Sequence, residues 1–219
     1  MALDRIMFLA ISTIATIVLM ILRRKLYPEV AVWKMVIMGC YQTIIGVLAA
    51  MIMGYIEFGE FGGTKYYGVV LFGPIMILPE LLLGLSYKTI MNMCAPGAAL
   101  VLGIMKADCY VNGCCMGRYL PSLGFQFPSQ IVEGITCLVV MAILLWIERR
   151  NRRTPLYAWY LVIFGSTRFV LNWFRYIPKP WKWILPHDII WSILSVVIGI
   201  VWLLVSRAKE PAAKQGQRI

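Results

Sequence analysis

Long stretches of predominantly apolar residues alternate with short polar segments along the chain. The runs cover positions 6–21, 36–55, 67–85, 90–105, 131–146, 156–174 and 189–205. About 20 residues carry a helix across a hydrocarbon core, and no water there satisfies open backbone groups, so each run predicts a membrane-spanning helix. The runs are continuously apolar and do not alternate, which argues against a β-barrel. Gly73, Pro74 and Pro79 predict a bent or broken third helix, and Pro96 and Gly97 interrupt the fourth.

The polar punctuation sets an orientation. Arg23-Arg24-Lys25, the Arg149–Arg153 segment and the tail from Arg207 should share the cytoplasmic side, so an even number of spans separates each from the next. Seven spans satisfy this with the N-terminus outside and the C-terminus in the cytoplasm; only Lys88 marks the turn between spans three and four. Segments 55–66, 106–127 and 175–188 then face outward. The first run is not expected to be a cleaved signal peptide, because its basic cluster follows the run. The expected organisation is an all-α, multi-pass domain over 1–206 and a basic cytoplasmic tail over 207–219.

Composition agrees. The chain of 219 residues is 61% hydrophobic and 14% charged, where a soluble domain is nearer half and a quarter. The net charge of +11 sits in short clusters at the ends of apolar runs, a topological signal, and does not indicate nucleic acid. Trp33, Tyr55, Trp146, Trp181 and Trp183, near span ends, read as interfacial anchors.

Ionisable residues inside apolar runs are costly and mark cavities or partners. Four stand out: Glu80, Lys106, Glu133 and Arg168. Arg168, Asn172 and Arg175 are spaced i, i+4, i+7 on one helix face. Such a stripe near the outer leaflet suits a phosphate, which guanidinium binds through paired hydrogen bonds. The plainer reading pairs Arg168 with Glu133 and lets Arg175 reach the headgroups. A second constellation runs from Lys106 through Asp108, Cys109, Asn112, Gly113, Cys114 and Cys115 to Arg118. Its glycines let backbone approach a ligand. Its cysteines are not spaced C-x-x-C and the only histidine is His187, so no metal and no cofactor are expected; a disulfide between Cys109 and Cys114 or Cys115 stays open on an oxidising side. Cys40, Cys94 and Cys137 lie in spans and read as packing residues. In a third constellation Pro128 can start a helix that carries Gln130 and Glu133 in its first turn. Glu133 then enters the membrane and needs a cationic or hydrogen-bonding partner, whereas Glu80 reads as a residue near a helix end.

In order, these motifs resemble the bacterial phosphatidylglycerol–prolipoprotein diacylglyceryl transferase family. Asn92-Met93-Cys94-Ala95-Pro96, followed by Lys106 to Gly117, is similar to that family's Asp-x-x-Ala-Pro and Gly-Arg-x-Gly-Asn-Phe-x-Asn-Gly-Glu-x-x-Gly. Phe127-Pro128-Ser129-Gln130-Ile131-Val132-Glu133 resembles its His-Pro-Ser-Gln-Leu-Tyr-Glu. Phe164-Gly165-Ser166-Thr167-Arg168-Phe169, with Asn172 and Arg175, resembles its Tyr-Gly-x-x-Arg-Phe-x-x-Glu-x-x-Arg. The departures are specific. Lys106 stands for an essential Arg, Cys114 and Asn172 for Glu, and the family's His-Gly-Gly has only Tyr66-Tyr67-Gly68 near its place. A branch with Gly-Cys-Cys in the central motif is the nearer likeness.

The resemblance implies seven spans and transfer of the diacylglyceryl group of phosphatidylglycerol, or a similar anionic phospholipid, to the lipobox cysteine of a prolipoprotein. It implies that Arg168, Lys106 and Arg175 hold the phosphate, that Glu133 orients Arg168, and that Asn112 and Gly113 shape the pocket. Arg118, Gln130, Asn172 and Tyr67 complete the expected binding residues. Tyr66 or Tyr67 is a weak candidate for the base. The alternatives are a lipid-group or acyl transferase with another acceptor, with Cys114 or Cys115 taking part, and a non-catalytic lipid-binding protein of the same fold.

Overall fold

In the computed structural model, residues 3–59, 65, 67–152, 154–175 and 187–215 are described. The chain is an all-α polytopic membrane protein. Its helices are α1 (Leu3–Leu22), α2 (Val32–Phe58), α3 (Tyr67–Met76), α4 (Tyr87–Val111), α5 (Ser129–Arg150), α6 (Leu156–Asn172) and α7 (His187–Gln215). A short antiparallel hairpin, β1 (Tyr119–Leu120) with β2 (Phe125–Gln126), lies between α4 and α5, with Tyr119 opposite Gln126. Five helices, α1, α2, α4, α5 and α7, are long and apolar enough to cross a membrane. The other two are shorter, with 10 residues in α3 and 17 in α6.

The break expected in the third run is present. α3 stops at Met76 and a 3-10 turn follows over Leu78–Leu83. Proline at 74 leaves the carbonyl four residues earlier without its helical donor; that carbonyl, on Val70, accepts from the Tyr157 hydroxyl at 3.1 Å. Pro96 does the same inside α4, which continues unbroken. The released Asn92 carbonyl accepts from Arg23 Nη2 at 2.8 Å, and the Met93 carbonyl from Nη1 at 3.0 Å. Arg23 also donates through Nε to Glu148 of α5 at 2.8 Å, and Tyr27 donates to the same carboxylate. Burial and the Glu148 charge push the Tyr27 phenol well above its ordinary range. Arg23, read from the sequence as a topological charge, is thus a packed tie between α1, α4 and α5.

α4 is the central helix: 61% of its membrane window is buried, against 17–22% for the other four long helices. It packs on α1, α5 and α6, while α6 pairs with α7 and α2 with α3. Small residues set the closest approaches, as is usual between helices in lipid. A Cβ at Gly68 would lie 2.0 Å from the Ala49 carbonyl oxygen, so only glycine permits the α2–α3 contact. Outward-facing Ile14, Leu22, Ile44 and Leu204 are exposed, as a lipid-facing surface requires. Trp33, Tyr55 and Trp146 are exposed near helix ends; Trp181 and Trp183 lie outside the described residues.

Candidate functional site

One difference from the sequence reading builds the site. The fourth run was expected to end at 105, but α4 continues to Val111. Nothing between 106 and 111 breaks a helix, and the charges that enter are partnered. Asn112 and Gly113 then stop it. Gly113 is left-handed (φ +63°), its N–H donates to the Tyr110 carbonyl, and the Cys114 N–H reaches back to the Cys109 carbonyl at 3.0 Å. This is a Schellman turn, which lays the residue after the glycine against the helix's last turn. Cys115 is also left-handed (φ +57°), a conformation that costs a non-glycine residue about 1 kcal/mol or more. The Sγ atoms of Cys109, Cys114 and Cys115 consequently lie within 4.8 Å of one another. All three thiols are free.

Glycines on α4 and α5 let Lys106 and Glu133 meet: a Cβ at Gly134 would sit 3.4 Å from that of Lys106. Glu133 is 1% exposed and forms ion pairs with Lys106 and Arg168, and with Arg175 Nε at 3.1 Å. Ser129 Oγ donates to it at 3.0 Å. Arg175 lies just past α6, held where Gly117 bridges it and where the Arg118 N–H donates to the Phe174 carbonyl at 2.8 Å. It also pairs with Asp188 at 3.2 Å, and Lys65 approaches that carboxylate at 3.4 Å. The Arg168 guanidinium stands 5.9 Å from the ring centroid of Tyr67, whose hydroxyl is 2.6 Å from Ser192 Oγ. Arg168 Nε is buried and has no hydrogen-bond partner among the described residues.

These groups head a cavity of about 690 Å³ between α1, α2, α3, α4 and α6. Lys106, Arg168, Arg175, Lys65 and Tyr67 line it, as do the three cysteines; Glu133 does not. The Glu133 carboxylate is therefore set back from the wall that its cationic partners line, whereas Asp108 and Asp188 stand on that wall. The far end, around Gly73, Ile77, Cys94 and Gly97, is mostly apolar, with Thr16 beside Gly97 and the Tyr157 hydroxyl beside Gly73. From Cys94 to Lys106 the helical rise is about 18 Å, slightly more than one leaflet of a hydrocarbon core about 30 Å thick.

The pairing of Arg168 with Glu133 and its place on a cavity wall thus coexist. The other expected residues are organisers by position. Asn112 Nδ2 donates to Asp108 Oδ1 at 2.8 Å, and Gln130 Nε2 to the Cys114 carbonyl at 2.7 Å. Asn172, 1% exposed, donates to the Asp188 carbonyl at 3.0 Å and ties α6 to α7. Gly113 makes the turn. The exposed Arg118 donates through Nε to the Arg175 carbonyl at 3.1 Å, away from the cavity. Glu80 is buried, accepts from Gln42 at 3.1 Å, and stays outside the cavity wall. Tyr66 and the side chain of His187 lie outside the described residues. Sequence reasoning missed Asp188 and Lys65; Asp188, an acid opening the seventh run opposite Arg175, was the available signal.

The Cys109 thiol hydrogen-bonds to Cys115, and Lys106 and Arg175 add positive charge. Together they outweigh burial and bring the Cys115 thiol down to about 4. Cys114 moves up, chiefly through burial. Cys115 is thus a thiolate above about pH 4, whereas an ordinary thiol ionises near pH 8.5. In the reduced, chelator-treated protein, iodoacetamide should label Cys115 at pH 6 with little loss of rate from pH 8, while Cys114 slows steeply. Equal slowing of both, read by peptide mass spectrometry, would contradict this assignment.

Fold and cavity together define a polytopic membrane protein whose interior suits an amphiphile with an anionic head. Comparison with known sequences is more specific: residues 6–205 match the prolipoprotein diacylglyceryl transferase family, and the chain belongs to it. It is 23% identical to the phosphatidylglycerol–prolipoprotein diacylglyceryl transferase of Clostridium tetani over 92% of each chain. It is 25% identical to phosphatidylglycerol–prolipoprotein diacylglyceryl transferase 2 of Clostridium perfringens, over 90% of this chain and 78% of that one. With the enzyme of that name from Brucella anthropi the identity is 26%, over 78% and 72%.

Proposed function

We propose that this protein transfers the diacylglyceryl group of phosphatidylglycerol to the thiol of a lipobox cysteine in a prolipoprotein, at the outer leaflet of a bacterial inner membrane. The observation that carries the proposal is the placement of Lys106, Arg168 and Arg175 together on the wall of a cavity lined mostly by apolar residues, with Asp108 and Asp188 as the acids beside them. The acyl chains lie along the apolar part and the phosphodiester sits against the cations. α3 and α6 complete seven crossings, with the N-terminus outside and the C-terminus in the cytoplasm, which puts the cationic end outward.

The thiolate sulfur of the acceptor attacks the glyceryl carbon that bears the phosphate. The S–C bond forms, the C–O bond breaks, and glycerol phosphate leaves with the electron pair. The diester monoanion becomes a monoester dianion, so negative charge grows on the leaving oxygens. Preorganised cations aimed at that charge stabilise the transition state more than the ground state. Lys106 supplies a point charge in place of a fork; Arg168 keeps the fork.

Incubation of the purified protein with labelled phosphatidylglycerol and a lipobox peptide, followed by mass spectrometry, should show the diacylglyceryl-peptide thioether and equimolar glycerol phosphate. Glycerol phosphate without the thioether would point to another acceptor. Absence of both would leave a lipid-binding protein and reject the transferase reading.

A further inference from the structure

We propose that Cys109, Cys114 and Cys115 form a three-thiolate zinc site whose open position binds the acceptor thiol. The three Sγ atoms lie within 4.8 Å of one another. Tetrahedral zinc with Zn–S bonds of about 2.3 Å needs sulfurs about 3.8 Å apart, so a contraction of about 1 Å closes the site. The geometry is built into the backbone. The Schellman turn sets Cys114 against Cys109, and the left-handed Cys115 turns back to join them. Gln130 Nε2 fixes this turn through the Cys114 carbonyl at 2.7 Å.

All three cysteines line the cavity, so an ion held by them would be within reach of a ligand that enters it. Three thiolates around a divalent ion leave a net charge of −1, and a fourth thiolate makes it −2. Lys106 and Arg175 line the same end of the cavity and offset that charge. Three protein ligands with one open position is the pattern of catalytic zinc, which lowers the pKa of what binds there.

The role given to the ion rests on the transferase reading; the site itself does not. Among the described side chains no histidine lines the cavity to take the proton of the acceptor thiol. Coordination removes the proton to solvent at the cavity mouth and presents the sulfur as a thiolate, which attacks the glyceryl carbon as described above. A carrier role for one of these cysteines fails on chemistry: a diacylglyceryl thioether on Cys115 has a poor leaving group and would be a dead end.

The test uses the reduced, chelator-treated full chain in detergent, titrated with Co²⁺. A thiolate-to-cobalt charge-transfer band should saturate at one equivalent and disappear on adding Zn²⁺. Cys109→Ser and Cys114→Ser should each weaken binding by roughly 100-fold or more, while Cys137→Ser, in the body of α5, should not change it. A lipobox peptide should shift the cobalt spectrum, and its serine analogue should not. No band at one equivalent, or loss of two of these thiols as a disulfide without metal, would overturn the site. Undiminished transfer by the metal-free chain would overturn the ion's role, and metal binding without any transfer would overturn the transferase reading alone.

Discussion

Replacing Arg168 by alanine should lower diacylglyceryl transfer by about 10³-fold, the loss expected when one preorganised donor to a developing anion is removed. Arg168 keeps the arginine of the Tyr-Gly-x-x-Arg-Phe motif that this segment resembles, and it lines the cavity with an Nε that has no hydrogen-bond partner among the described residues. The fold should survive the change. Glu133 keeps Lys106 and Arg175 as partners, so no buried carboxylate is stranded, and thermal inactivation in detergent should move little. Arg168→Lys should recover only a small part of the activity, because a single ammonium cannot present two parallel donors to a phosphate. Turnover near normal in Arg168→Ala, measured as thioether formed per unit time, would remove the cation clamp from the mechanism.

Glu148→Ala should destabilise the protein by about 3–5 kcal/mol, the cost of leaving a buried charge without its partner. Arg23 and Glu148 are 6% and 1% exposed. Glu148 alone accepts both Arg23 and Tyr27, and without it the guanidinium keeps only the two carbonyls beside Pro96. The double variant Arg23→Met, Glu148→Met should recover a large share of the loss, since apolar replacements of matched volume tolerate burial. It should not recover all of it, because the Asn92 carbonyl freed by Pro96 would then lack a donor. Unfolding in denaturing detergent reads both; an unchanged midpoint for Glu148→Ala would show that the pair carries no stability.

Much of this architecture is written in one-dimensional signals. Apolar runs gave the helices, and prolines at 74 and 79 gave the broken third element, because span length and a missing N–H act locally. The ion pair between Glu133 and Arg168 was readable too, since a charge that enters a bilayer must find its opposite. What could not be read depends on where helices cross. Asp188 joins the site from the start of α7 and Lys65 from the residues before α3, and the sequence gives no distance between them and Arg175. The grouping of Cys109, Cys114 and Cys115 in space was not readable from their spacing in the chain. Here one thiol comes from a helix and two from the turn that ends it. The Asn112-Gly113 stop signal, weighed for the turn it forces, would have brought them together. The packing role of Arg23 was not readable for a related reason: only the position of Pro96 on a neighbouring helix shows which carbonyls it meets.

Three cations that share one buried counter-ion have a kinetic consequence. In the proposed reaction the donor arrives carrying a single negative charge, and the severed head departs carrying two. A pocket that favours the second state over the first hastens bond breaking and, for the same reason, holds back its own spent fragment. Egress of the headgroup, rather than the alkylation itself, is then expected to be the slow stage of the cycle, and because Lys106 and Arg168 are buried, bulk salt should change it little.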